Sequence, residues 1–369
     1  MADDARTAKW SLHPVARFAS VARAWDALCA QSGAVPFLRS DFLLPALAQF
    51  SAGRELLAIC GSPSEPLAMG LFVRRRIGAW ETFQPAQLPL GAVVAQSGPE
   101  LADLARSLMP ALPGIALTLA ITQQDPSIHP RPGNASSVGT LDYVDTARVA
   151  VEGAFDAYWS ARGKNLRQNV RKQLAKVEQD GIVPRLDWVA EPQGVAEAIE
   201  QYGRLESAGW KAQGGTAIGS GNAQGRFYRN VFESFCARGA ARIYRYWFGD
   251  RVVAMDLCVL DGPVLVVLKT TYDESLRAVS PASLLRYAYF RALFDEGVIR
   301  SIEFYGKVMD WHLRWTSDVR TLYHVNAYRW PWVKRLHARR RTRQREEKNT
   351  EPASLADPPG GATSSENRV

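Results

Sequence analysis

The sequence is poor in the residues that build metal sites and cross-links. Its 369 residues hold four cysteines, Cys29, Cys60, Cys236 and Cys258, with no C-x-x-C pair among them. Scattered thiols in a chain this long read as free cysteines of a reducing compartment, not as a disulfide framework. The five histidines, His13, His129, His312, His324 and His337, form no H-x-x-x-H pair, so no zinc site is expected. No uninterrupted apolar run approaches the ~20 residues of a membrane span. The opening residues carry Asp3 and Asp4 and no apolar stretch of the secretory kind. A cytoplasmic protein is therefore expected.

What is present is ordinary globular composition, with 47 % hydrophobic and 22 % charged residues. That excludes a wholly disordered, collagen-like or disulfide-stapled chain. The length favours two domains. The net charge of +8 is unevenly placed. One block, Arg162, Lys164, Arg167, Arg171, Lys172 and Lys176, contains no acidic residue. A second, between Lys334 and Lys348, has eight basic and two acidic residues. Each block carries +6, so the rest of the chain is net negative. The excess is thus local, which weakens a DNA-binding reading. The second block follows Trp330-Pro331-Trp332. Tryptophans beside a polybasic helix suit peripheral contact with an anionic membrane. Beyond it the Pro/Gly/Ser/Glu-rich end is expected to be disordered.

Periodicity predicts helices over 21–30 and 41–50, and strands at Leu56–Cys60, Leu67–Val73 and Ile115–Ile121. A proline-rich stretch after residue 121 reads as a long connection. The second half opens with an amphipathic helix over Ala154–Gln179, then one from Pro192 to Ala208. A glycine-rich loop precedes a third helix at Phe227–Ala237 and three strands, Ala241–Phe248, Val252–Leu260 and Val264–Thr271. Their short Gly249-Asp250 and Asp261-Gly262 links are hairpin signals. A helix over Pro281–Glu296, a strand over Ser301–Tyr305 and a last strand within Thr321–Trp330 complete the series. This is a mixed α/β layer, not a doubly wound sheet.

The strongest chemical signal is the turn Arg277-Ala278-Val279-Ser280-Pro281-Ala282-Ser283. It joins a buried strand to a helix. Ser280 is a suitable N-cap and Pro281 a suitable first helical residue. The N–H groups and dipole of such a helix start favour a phosphate, and Arg277 adds a cation.

Here the sequence resembles GNAT acyltransferases, whose pyrophosphate loop follows Q/R-x-x-G-x-G/A. The corresponding run is Arg277-x-x-Ser280-x-Ala282, with serine at the middle glycine. More narrowly, residues 150–330 resemble the CelD-like, FemAB-related members. The resemblance rests on the ordered set Asn165–Arg171, Trp210-Lys211, Tyr272-Asp273, Ser280-Pro281-Ala282, Glu303-Phe304 and Trp311–Trp315. Tyr305, Lys307 and His312 depart from the commoner pattern.

The resemblance implies tandem GNAT-like domains, each a mixed, mainly antiparallel sheet flanked by helices. A degenerate unit would span 1–150, the transferase unit 151–335 and a basic, then disordered tail 336–369. It implies transfer from acetyl-CoA or another acyl-CoA to an amine or hydroxyl without a metal. The acceptor would be a small molecule or a saccharide, such as an exopolysaccharide or cellulose-related precursor. Residues 277–283 would hold the CoA ester. Glu303 and Asp256, carboxylates in apolar strands, are candidate general bases. His312 is a candidate base or acceptor ligand, and Tyr305 or Tyr272 a candidate proton donor to the leaving thiolate. Trp210, Lys211, Arg167 and Trp311, with Trp315, are candidates for holding the acceptor, and the Gly219–Gly225 loop for covering it. Two alternatives stand beside this reading. One is a FemX-like transferase using aminoacyl-tRNA, which the basic helix would serve. The other is an inactive scaffold attached to a membrane-bound synthase.

Overall fold

The computed structural model describes residues 9–350 apart from 32, 34, 208–217 and 220, with backbone only at 341 and 343–350. Trp210 and Lys211 lie outside the described residues. Strands in the first half are β1 (Trp10–Pro14), β2 (Leu56–Gly61), β3 (Pro66–Arg76), β4 (Ala79–Thr82), β5 (Val93–Ala95), β6 (Thr118–Gln124) and β7 (Val138–Ala150). The second half contributes β8 (Pro184–Val189), β9 (Ala241–Phe248), β10 (Arg251–Asp261), β11 (Val264–Tyr272), β12 (Ser301–Glu303) and β13 (Asp318–Tyr328). All thirteen form one mixed sheet in the order β1-β2-β3-β4-β6-β13-β7-β12-β11-β10-β9-β8, with β5 on β3.

The two halves repeat one plan. Antiparallel strands lead to a single parallel pair, β4 with β6 in the first half and β11 with β12 in the second. The closing strands are exchanged. The strand following β6 in sequence, β7, pairs with β12. The strand following β12, β13, pairs with β6. β7 and β13 pair with each other, from Asp318 opposite Arg148 to Ala327 opposite Val138. The sheet therefore runs unbroken past residue 150.

Local sequence explains the second half well. The β9–β10 and β10–β11 links place Gly249 and Gly262 at φ 57° and 54°, the left-handed region that glycine enters without steric cost. β10 is buried from Val253 to Leu260, packed by the helices of the second half. The first half carries α1 (Ala22–Gln31), α2 (Ser40–Phe50) and α3 (Leu101–Leu108). The expected helix over 154–179 is instead two, α4 (Phe155–Ser160) and α5 (Lys164–Gln179). Gly163 lies at the break, and Arg162 turns back to the Trp315 carbonyl there. α6 (Pro192–Ser207), α7 (Ala223–Cys236) and α8 (Pro281–Glu296) follow the expected spans closely. A short α9 (Asp310–Trp315) and a basic α10 (Pro331–Thr350) complete the chain.

The seam between the halves is held by charge. Arg320 of β13 donates to Asp125, just after β6, at 2.9, 3.0 and 2.6 Å, and to Glu303 of β12 at 2.8 Å. Tyr305 donates its hydroxyl to the same Asp125 at 2.9 Å. Asp125 is fully buried. Burial alone would raise its pKa, but the Arg320 hydrogen bonds hold it below the usual carboxylate range. Burial raises that of Glu303, with Arg320 opposing.

Removing one member of a buried ion cluster leaves uncompensated charge. Arg320→Met should lower unfolding free energy by about 3–5 kcal/mol, read as a shift of the urea midpoint. Because Asp125 is depressed in the folded state, its contribution is in place at neutral pH and fades as pH falls below its unfolded value of ~4. The acid limb of the wild-type stability profile should therefore be steeper than that of Asp125→Asn.

Candidate active site

β11 and β12 pair in parallel only from Val264–Ser301 to Val266–Glu303. β12 then ends, whereas β11 continues to Tyr272. Beyond Val266 the strands part, and among the described residues the β12-facing edge of β11 has no strand beside it. Residues 267–272 of β11 line a cavity of about 620 Å³. β11 also carries an extra residue, Leu268, where the register with β10 shifts between Leu257 and Cys258. Such bulges re-aim backbone groups next to sites.

One wall of the cavity is the α8 start, with Arg277, Ser280, Ala282 and Ser283. Ala278, Val279 and Pro281 belong to the same turn but do not line it. Ser280 precedes the helix as expected, yet its side chain does not cap it. Its hydroxyl turns back to the Arg277 carbonyl at 3.4 Å. The backbone sits at φ 45°, ψ 59°. This left-handed geometry explains why the resembling families carry glycine there. Pro281 has no N–H, and the N–H groups of Ser283 and Leu284 return to the Ser280 carbonyl. Ala282 lines the cavity, and at the second helical position its N–H has no partner within the helix.

Another wall carries His312 and Trp311 of α9, stacked at 3.5 Å. His312 Nδ1 accepts the Met309 N–H at 2.9 Å. Burial, and then the Arg286 guanidinium, hold its pKa down at about 4. The ring is neutral at physiological pH, and its one proton must lie on Nε2. His312 is thereby a hydrogen-bond donor and not the base that the sequence alone allowed. Arg286 donates to Thr270 Oγ1 at 2.7 Å and lies 4.0 Å from the Trp311 ring centroid.

Asp256 does not reach the cavity. It is fully buried on β10, accepts the Tyr289 hydroxyl at 3.0 Å and faces Arg286 Nε at 3.5 Å. Its place is behind Arg286. Glu303 and Tyr305 also turn away, into the Arg320 cluster, while Phe304 between them faces the cavity. Tyr272 lines the cavity. Trp315 is buried against Phe290 and Trp159 as core, not as an exposed platform. Arg167 lies in a separate cleft.

Sequence reasoning missed Glu206 and Lys269. Glu206 Oε1 meets Lys269 Nζ at 2.9 Å, and Oε2 accepts the Ile218 N–H at 2.8 Å. Both side chains line the cavity. The only local signals were a glutamate ending an apolar helical stripe and a lysine inside an apolar strand.

Residues 164–313 match the family described as an acetyltransferase (GNAT) domain. No curated protein matches the chain. Among solved structures, the C-terminal DUF2156 domain of a proposed lysylphosphatidylglycerol synthetase from Agrobacterium fabrum is 13 % identical, with a TM-score of 0.53 over 84 % of this chain and 92 % of that one. FemX is 8 % identical, with a TM-score of 0.53 over 85 % and 97 %. A conserved protein of unknown function from Bacteroides thetaiotaomicron is 10 % identical, with a TM-score of 0.50 over 87 % and 99 %. At such identities these likenesses show the fold alone. The matched residues lie in the second half, within a larger mixed sheet.

The strain at Ser280 is directly measurable. Ser280→Gly should raise unfolding free energy by about 1 kcal/mol, and Ser280→Val should lower it, because a β-branched residue fits the left-handed region worst. A destabilised glycine variant in chemical denaturation would contradict this account.

Proposed function

We propose that this protein is an acyltransferase. It would take its acyl group from an acyl-CoA thioester, acetyl-CoA being the simplest, and pass it to an amine or hydroxyl. The observation that carries this reading is the open edge of β11 running toward the exposed start of α8. An extended, amide-bearing thioester arm can add to that edge as a further strand does. Its pyrophosphate would then meet the Ala282 N–H, the helix dipole and Arg277. The reacting carbonyl would lie near the parting of β11 and β12. There the Nε2–H of His312 and the ammonium of Lys269 are the donors able to stabilise an oxyanion. Glu206 is the carboxylate we assign to accept the acceptor's proton, and Tyr272 the hydroxyl to protonate the departing thiolate. The acceptor is proposed to be a small molecule or saccharide. The likeness to FemX keeps aminoacyl-tRNA as the competing donor.

Calorimetric titration with acetyl-CoA should show binding, abolished by Ser280→Asp, which puts negative charge before the helix. Thiol release should fall by about 10²–10⁴ in kcat for Glu206→Gln, the span of a lost general base. No binding of any CoA ester would overturn this reading, and acyl transfer from aminoacyl-tRNA would establish the competing one.

We also propose that α10 lies against an anionic membrane surface. Trp330 and Trp332 stack at 5.6 Å and stay exposed beside Leu336, Arg335, Arg339 and Arg340. Lys334 fixes the helix root by donating to the Ala135 and Val138 carbonyls at 2.7 and 2.6 Å. The chain should sediment with phosphatidylglycerol vesicles and not with phosphatidylcholine ones. Trp330→Ala with Trp332→Ala should release it, and unchanged sedimentation would refute the contact.

A further inference from the structure

A second cleft, of about 630 Å³, lies between α4, α5 and α8, apart from the cavity at the strand parting. Three cations of α5 line it, Lys164, Arg167 and Arg171. At i, i+3 and i+7 they share one helix face. Among the described residues, the Lys164 and Arg171 side chains have no hydrogen-bond or ion-pair partner. Arg167 commits only its Nε, to the Arg162 carbonyl at 3.0 Å. Two other exposed arginines are paired along their helices, Arg204 with Glu200 and Arg229 with Glu233. One carboxylate, Asp156 of α4, also lines the cleft, so the three cations leave it with a net positive lining that a bound anion would balance.

The opposite wall is aromatic. Trp159 and Tyr287 meet edge to face at 4.8 Å. Trp159 is backed by Phe155, stacked at 6.0 Å, and by Trp315 at 5.8 Å. The indole is thereby held as a fixed half-exposed face. Free phosphate has no use for such a wall, whereas a base has. The cation row spans eight residues, seven rises of ~1.5 Å or about 10 Å of helix. That suits one nucleotide and is short for a polynucleotide track.

We propose that this cleft binds a phosphorylated nucleoside, its base against Trp159 and Tyr287 and its phosphate on Lys164, Arg167 and Arg171. Two sources share this chemistry. One is the nucleotide end of a CoA donor. α5 packs against the 274–279 turn, and Tyr287 lies six residues along α8 from Pro281, about 9 Å. The other is the nucleotide of a nucleoside-diphosphate-activated acceptor. The site itself stands whether or not the acyl-CoA reading does.

The test is titration of the full chain with adenosine 3′,5′-bisphosphate, with UDP and with inorganic phosphate, read by calorimetry and tryptophan fluorescence. At least one nucleotide should bind about tenfold or more tighter than phosphate, the gain expected of one stacked base. Its affinity should fall with salt. Arg167→Glu with Arg171→Glu should cost at least tenfold while circular dichroism stays unchanged, since both side chains are exposed. Lys164→Ala should cost less, in the same direction. Displacement of the bisphosphate by CoA assigns the site to the donor, and UDP binding alongside CoA assigns it to the acceptor. Nucleotides that bind no better than phosphate, or a charge-reversed variant that binds as the wild type does, would overturn the proposal.

Discussion

A single guanidinium sets the geometry on which the candidate site depends. Arg320 grips Glu303 at the last paired residue of β12 and Asp125 at the end of β6. Asp125 in turn holds the Tyr305 hydroxyl. With Glu303 and Tyr305 both drawn to this cluster, Phe304 between them must face the other way, into the cavity. Tyr305 adopts φ 48° in the process. The chain therefore leaves β12 abruptly and β11 runs on alone. The opening between the two strands is a consequence of a charge cluster on the far side of the sheet. Desolvating these groups is costly, and the cost is offset only because every carboxylate in the cluster meets Arg320.

Much of the second half was legible in the sequence because its interactions are local. The Gly-Asp and Asp-Gly hairpins, the α8 start and the turn before it are all written within a few residues. The chemistry of individual side chains was not. Glu303 and Asp256 look like reactive carboxylates in apolar strands, and only the fold shows that Arg320 and Arg286 lie beside them. Asp125 lies 195 residues from Arg320, and no periodicity encodes such a pair. β7 was hidden for the same reason, its partners β12 and β13 both coming from the other half. β13 was expected as a strand, but not its pairing with β6 and β7.

Ser280 shows how a motif is read better with its backbone in view. The position asks for left-handed geometry, and glycine is the usual answer. Serine meets the same demand at some steric cost and without capping the helix. The N–H of Ala282 remains available because the serine oxygen looks elsewhere. His312 carries a similar lesson. Its identity suggests a base, but the Met309 N–H occupies the nitrogen that would take the proton.

The exchange of β7 and β13 has a bearing on how the molecule is made. During synthesis the first half emerges with β6 exposed at an edge, for its neighbour β13 is encoded some two hundred residues later. β7, already made, must wait for β12. Neither half can close its sheet until β12 and β13 have been made. An exposed strand edge is a template for the wrong partner. The nascent protein is thus open to aggregation until β13 emerges, and separating the halves near residue 150 would make that vulnerability permanent.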